Sequence, residues 1–266
     1  MLKSFNVRGS WNSGARVLLT DYVEGFLVAE DPEGNELSGP PETFHAFTGE
    51  SGVALLERIL PAPTVLELEY GAIREALASV HSVALYGFGE TRAWDGNTYT
   101  ASDGCGNEGV IRFALGECTG AAACKYEVGL NQETALEHVP AKARSSAREI
   151  LALPLLCSNG STRATSLFWS EEGKVCSGAP WHVTYARGAE LFRHELLDDR
   201  RWLAEACALH ELTDRRGDFV LQVAKEMLVA GSAHQLALEA ARELIPVEAP
   251  YREEASVLLT AIGNRV

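Results

Sequence analysis

The strongest constraint on this chain is a change of hydrophobic period near residue 82. Just before it, in "EYGAIREALASVHS" (residues 69–82), apolar residues recur at helical spacing. Beyond it, "SVALYGFGE", "NTYTAS", "GVIRFALGE" and "CKYEVGL" alternate with a period of two. The connectors "AWDG", "DGCGNEG" and the "TGAAA" region separate them. Strands this short, joined by glycine-rich turns, pair with their neighbours and predict an antiparallel meander.

Helical and strand patterns flank the meander. "ARVLLTDYVEGFLVAE" reads as strand, the dense cluster "DPEGNELSGPP" as turn, and "ESGVALLERIL" as a helix capped by Ser51 and stopped by Pro61 and Pro63. After the meander, "NQETALEHVPAKARSSAREILALPLLC" is helical, with breaks at Pro140 and Pro154. "ATSLFWS" and "PWHVTYA" read as strands beside the turn "EEGK".

From Gly188 four amphipathic segments follow with short connectors: "AELFRHELLDDRRWLAEACALHEL", "DFVLQVAKEMLVA", "AHQLALEAARELI" and "REEASVLLTAIG". Short loops between helices imply antiparallel neighbours. In helix length this tail, under a third of the chain, resembles the helical pairs of HEAT-type repeats. The expected class is α+β: a mixed portion over 1–187 with an antiparallel sheet and an acidic start, then a helical portion over 188–266.

Charge is unevenly placed. The 266 residues carry a formal net charge of −14. Residues 21–90 hold thirteen carboxylates against only Arg58 and Arg74, an excess of eleven. Such a field repels nucleic acid and anionic lipid and attracts basic proteins. Glu24, Glu30, Asp31, Glu33 and Glu36 cluster around one predicted hairpin and are the candidate acidic binding residues. Trp181 and Tyr185, on one face of the expected strand "PWHVTYA", are candidate aromatic anchors, with His182 on the other face. No apolar run reaches the roughly 20 residues needed to cross a bilayer, and the N-terminus lacks a signal-peptide pattern, so a cytoplasmic location is expected.

Motifs for chemistry are sparse. Gly104, Gly106 and Gly109 match G-x-G-x-x-G, but a polar segment precedes them and an alternating one follows. A dinucleotide site needs a buried strand before and a helix after, so these glycines read as a hairpin connection. "GESG" at 49–52 lacks the second glycine of a nucleophile elbow, because Val53 stands there. Six cysteines contain no C-x-x-C pair and read as reduced thiols. "HELLDDRR" from His194 and "HELTDRR" from His210 echo the zincin helix, yet Asp198 and Asp214 replace its second histidine. Both phrases therefore read as charge pairing and capping near helix ends. No cofactor and no metal are expected.

Three functions fit these observations. The first is an acidic protein-binding module, such as an inhibitor or immunity-type protein covering the basic cleft of a toxin nuclease. The second is a hydrolase-like enzyme with a dispersed site, drawing on Cys105 or Cys118 with His81 or His182. The third is a regulatory subunit of a larger assembly.

Overall fold

A capping box begins the central helix. Glu67 N–H donates to Thr64 Oγ1 (3.2 Å) while Thr64 N–H donates to the Glu67 carboxylate (2.8 Å). Helix α1 then runs Val65–Tyr86, and every residue from Gly71 to His81 is buried. A helix buried on all sides needs small or apolar residues all round, and "GAIREALASVH" supplies them except at Arg74, Glu75 and His81. The expected strand "SVALYGFGE" is corrected here, because Ser82–Tyr86 continue the helix to a stop at Gly87. The four apolar residues Val83–Tyr86 satisfy both periods, and packing arbitrates: Tyr251 N–H donates to the Ala84 carbonyl at 3.2 Å.

The computed structural model of the chain describes residues 4–10, 16–20, 27–30, 36–39, 61–87, 91–125, 127–228 and 232–264. Two compact units divide it, residues 1–62 with 179–187, and residues 63–178 with 188–266. The first unit holds an antiparallel four-stranded sheet in chain order, β1 (Ser4–Ser10), β2 (Arg16–Thr20), β3 (Leu27–Glu30) and β4 (Glu36–Gly39). β4 takes up "ELSG" from the cluster read as turn, and its register sets Glu36 opposite Glu30. The helix expected over 50–60 lies outside the described residues.

The second unit is built on a six-stranded antiparallel sheet of order β12-β11-β8-β7-β6-β5. Its members are β5 (Thr91–Asp95), β6 (Thr98–Ser102), β7 (Glu108–Ala114), β8 (Glu117–Ala123), β11 (Ser166–Glu171) and β12 (Lys174–Ser177). A two-stranded ribbon, β9 (Cys157–Ser158) with β10 (Ser161–Thr162), stands apart. The meander is real, but two of its strands are shifted from expectation. "TRAWD" is strand and the turn is Gly96–Asn97, since Asp95 pairs with Thr98. The described residues of "CKYEVGL" form no strand, and "ECTGAAA" is the strand in its place.

Covering on both faces explains β8. One register row joins Trp94, Tyr99, Ile111, Gly120 and Phe168 across five strands. Phe192 lies on this row, 6.5 Å from the Tyr99 ring and 5.9 Å edge-on from Phe168. The next row, with Val110, Ala121 and Leu167, packs against Ala143, Ala147 and Ile150 of a helical hairpin. That hairpin is α2 (Gln132–Glu137) and α3 (Ala141–Leu151), broken at Pro140 as the sequence predicts. A strand buried on both faces loses polar alternation, so small residues replace the expected pattern. Full burial of Phe168 or Ile111 contributes about 2 kcal/mol each relative to exposure.

α4 (Trp181–Ala186) belongs to the first unit and corrects the expected strand "PWHVTYA". Pro180 presets the entry, and its carbonyl accepts the N–H groups of Val183 (3.0 Å) and Thr184 (3.2 Å). Local hydrogen bonds thus outweigh the strand preference of Trp, Val, Thr and Tyr.

The C-terminal helices are α5 (Asp199–Leu209), α6 (Asp214–Leu228), α7 (Ser232–Ala241) and α8 (Arg252–Gly263). The α+β class stands, with α6 and α8 packed on α1 and α8 also on β5. The first expected helix of this tail is broken. Residues Ala189–Phe192 and His194–Leu196 are 3₁₀ turns, and Leu197 is extended before Asp198 caps α5. No helix among the described residues is long and apolar enough to cross a membrane.

The break lets the backbone of Glu195 press on α1 at Gly71. A Cβ at that glycine would lie 1.8 Å from the Glu195 carbonyl oxygen. Gly71→Ala should therefore force the 3₁₀ turn outward and lower stability by about 3 kcal/mol, the upper range for overpacking. A urea midpoint unchanged from wild type would refute that contact.

Candidate functional site

Arg74 and Glu75 of α1 enter the interior, where the break at 193–198 brings polar partners to meet them. Arg74 is 1% exposed and donates to the carbonyls of His194 and Leu197 (2.9 Å each) and to Asp199 (3.2 Å). Its guanidinium sits over the rings of Tyr70 (5.2 Å) and Trp202 (4.9 Å). Asp199 also accepts from Tyr70 Oη (2.8 Å) and Lys225 Nζ (2.7 Å). Burial works to raise the Asp199 carboxyl, but these donors and Arg74 hold it below its usual range.

Deeper lie two carboxylates. Glu75 accepts from the indole N–H of Trp202 and from His210 Nε2 (3.3 Å), whose Nδ1 is 2.9 Å from Ser82 Oγ. Glu195 accepts from Arg92 Nε at 3.2 Å and from Tyr99 Oη at 2.5 Å, while its Oε2 has no hydrogen-bond partner. Arg92 also donates to the Ser102 carbonyl at 2.8 Å. Every one of these ionic side chains is almost fully buried.

The two carboxyls are driven apart. Burial raises Glu195; Arg92 opposes this, and the charge of Glu75 pushes the same way as burial, so its affinity for a proton is increased. Burial would raise Glu75 too, but the hydrogen bond and charge of His210, with His194 and Arg92, hold it below the usual carboxylate range. Of the two, Glu195 takes up a proton more readily and Glu75 holds its charge more firmly. Such asymmetry is what acid–base sites use, and here each carboxyl is enclosed by protein.

The residues singled out in the sequence do not converge here. Cys105 is exposed in the turn between β6 and β7, where Gly104 and Gly106 have φ of 67° and 102°. Asp103 Oδ1 accepts the N–H groups of Cys105 (2.8 Å) and Asn107 (3.1 Å). Asp103 thus caps this turn from within, and Gly104 and Gly106 lie in a hairpin connection between β6 and β7. Cys118 is buried in β8, and burial pushes its thiol up to about 12.

His81 donates from Nδ1 to the Leu244 carbonyl (3.0 Å), leaving Nε2 to accept from Arg216 (3.1 Å). Burial, opposed by that Leu244 bond and aided by the charge of Arg216, lowers its pKa, so it is a neutral core residue.

His182 and Tyr185 are buried and Trp181 half-buried on α4, so the strand face proposed for them does not exist. Trp181 and Tyr185 still share a side, because a spacing of four suits a helix as well as a strand. Glu30 and Glu36 occupy facing register positions of the β3–β4 hairpin; Glu24, Asp31 and Glu33 lie outside the described residues. Among the described residues no cluster of His, Cys, Asp and Glu forms a metal site.

Sequence reasoning placed the two His-Glu phrases at helix ends and missed their interior members, Glu195 and His210. Asp198 does cap α5, accepting Arg201 N–H at 2.9 Å. The available signal was in α1: an Arg-Glu pair inside a run otherwise apolar on every side requires buried counter-charges from elsewhere.

Removing the Glu75 charge leaves Trp202 and His210 facing a neutral amide. Glu75→Gln should cost about 3–5 kcal/mol at pH 7, the usual loss on breaking a buried pair. Because the folded carboxyl is depressed, wild type holds this advantage above the ordinary value of 4.5 and loses it as pH falls below that. Urea unfolding of both proteins from pH 7 to pH 3 should show the gap closing, and a constant gap would contradict the assignment.

No family model matches the chain, and no curated protein or solved structure matches it either, so the HEAT-type likeness of its tail rests on helix length alone.

Proposed function

We propose that this chain is a protein-binding module of the inhibitor or immunity type, whose acidic first third captures a basic partner such as a nuclease. The observation that carries the reading is the excess of eleven carboxylates over residues 21–90. Arg74 and Glu75 are spent inside the protein, and as one charge of each sign they leave that excess unchanged. A concentrated field of one sign accelerates encounter with an oppositely charged surface and biases partner choice.

The fate of the enzyme candidates supports the same reading. Cys118 is shut in the sheet, and Glu75, His81 and His210 are engaged with one another's neighbours in the core. Cys105, Cys118, Cys157 and Cys176 are free thiols, which suits a reducing cytoplasm.

The test is capture of partners from the native host at low salt, using wild type and a variant with Glu24, Glu30, Asp31, Glu33 and Glu36 replaced by Lys. A basic protein should be retained by wild type and released near 1 M salt, where the Debye length falls to about 3 Å from about 10 Å at 0.1 M. Its association rate with the variant should drop at least tenfold, with the thermal midpoint of the variant unchanged. Equal capture by both proteins would remove the acidic segment as the binding surface.

A further inference from the structure

We propose that the groove between α2 and α3 binds a zwitterionic small molecule, its anionic group on Arg144 and Arg148 and its cationic group on Glu133 and Glu137. This site is independent of the acidic first third. The groove, open to solvent on one side, has a volume of about 590 Å³ and is lined by Gln132, Glu133, Leu136, Glu137, Arg144 and Arg148. That volume lies within the roughly 300–1,000 Å³ typical of small-molecule sites.

The charges that line it differ from their neighbours on the same helix. Lys142 and Glu149 of α3 are committed to the sheet, to Glu117 at 2.5 Å and Arg112 at 2.6 Å. Arg144 and Arg148 form no ion pair among the described residues, and neither do Glu133 and Glu137. Arg144 is nevertheless held in place, donating from Nη2 to the Val139 carbonyl at 3.0 Å, while its buried Nε has no hydrogen-bond partner. Leu136, buried against the sheet-side core, contributes an apolar surface between the two charged walls.

Each wall carries two like charges four residues apart, about 6 Å along the helix. Like charges at that spacing repel, so each wall gains by receiving a counter-ion. Paired guanidinium groups suit a carboxylate or phosphate. A purely anionic ligand would gain at the arginines and lose at the glutamates, and a purely cationic one the reverse. A molecule bearing both charges satisfies both walls.

Calorimetric titration of the full chain with 6-aminohexanoate, hexanoate and hexylamine tests this, with phosphoethanolamine run alongside to distinguish carboxylate from phosphate as the anionic group. One of the two zwitterions should bind at least tenfold more tightly than either singly charged probe. Arg144→Gln with Arg148→Gln should abolish that binding while circular dichroism remains that of wild type. Glu133→Gln with Glu137→Gln should weaken the zwitterion yet strengthen hexanoate, a gain that mere loss of structure cannot produce. Hexanoate binding to wild type as tightly as the zwitterions, or no saturable binding of either zwitterion at millimolar concentration, would overturn the proposal.

Discussion

A buried carboxylate must be met by donors or lose its charge, and this requirement at Glu75 and Glu195 organises the larger unit of the protein. Glu195 is reached by Arg92 from β5 and Tyr99 from β6, Glu75 by Trp202 and His210 from the ends of α5. One polar cluster therefore ties the sheet, the central helix and the C-terminal helices together. None of these elements can separate without stranding a charge in an apolar interior, at a cost of several kcal/mol. Close approach at Gly71 is the steric counterpart of the same junction.

The sheet follows from its two coverings. On one face the aromatic row of Trp94, Tyr99 and Phe168 receives Phe192, and on the other Val110, Ala121 and Leu167 receive α3. Aromatic bulk on one side is balanced by alanine and glycine on the strands beneath. Thus β8, which carries three consecutive alanines, sits at the centre of the sheet between β11 and β7.

Charge serves three different ends along this chain. Interior pairs hold the fold, single ion pairs such as Arg112–Glu149 pin α3 to the sheet, and the charges lining the α2–α3 groove form no ion pair among the described residues. The acidic excess over 21–90 and the two charged rows of that groove are the features on which the proposed binding rests. They are of different character: the first is a long-range field suited to another macromolecule, the second a short-range arrangement suited to a small one.

Much of the fold was legible in the residues themselves. β6 and β7, the "EEGK" turn, the breaks at Pro140 and before α6, and the span of α8 all follow from period, turn residues and caps, which act within a few positions. Segments whose local signals were ambiguous or overruled required the tertiary structure. Residues 82–86 became helix because α1 was already wound and packed, 117–123 became strand because both faces were covered, and 181–186 became helix because Pro180 set the entry. The polar core was legible only as a demand. Arg74 and Glu75 in an apolar helix required partners, but Glu195 lies 103 residues from Arg92, and His210 lies 135 from Glu75. Groups so far apart along the chain are brought together by the packing of whole elements, and no local pattern of residues encodes that meeting.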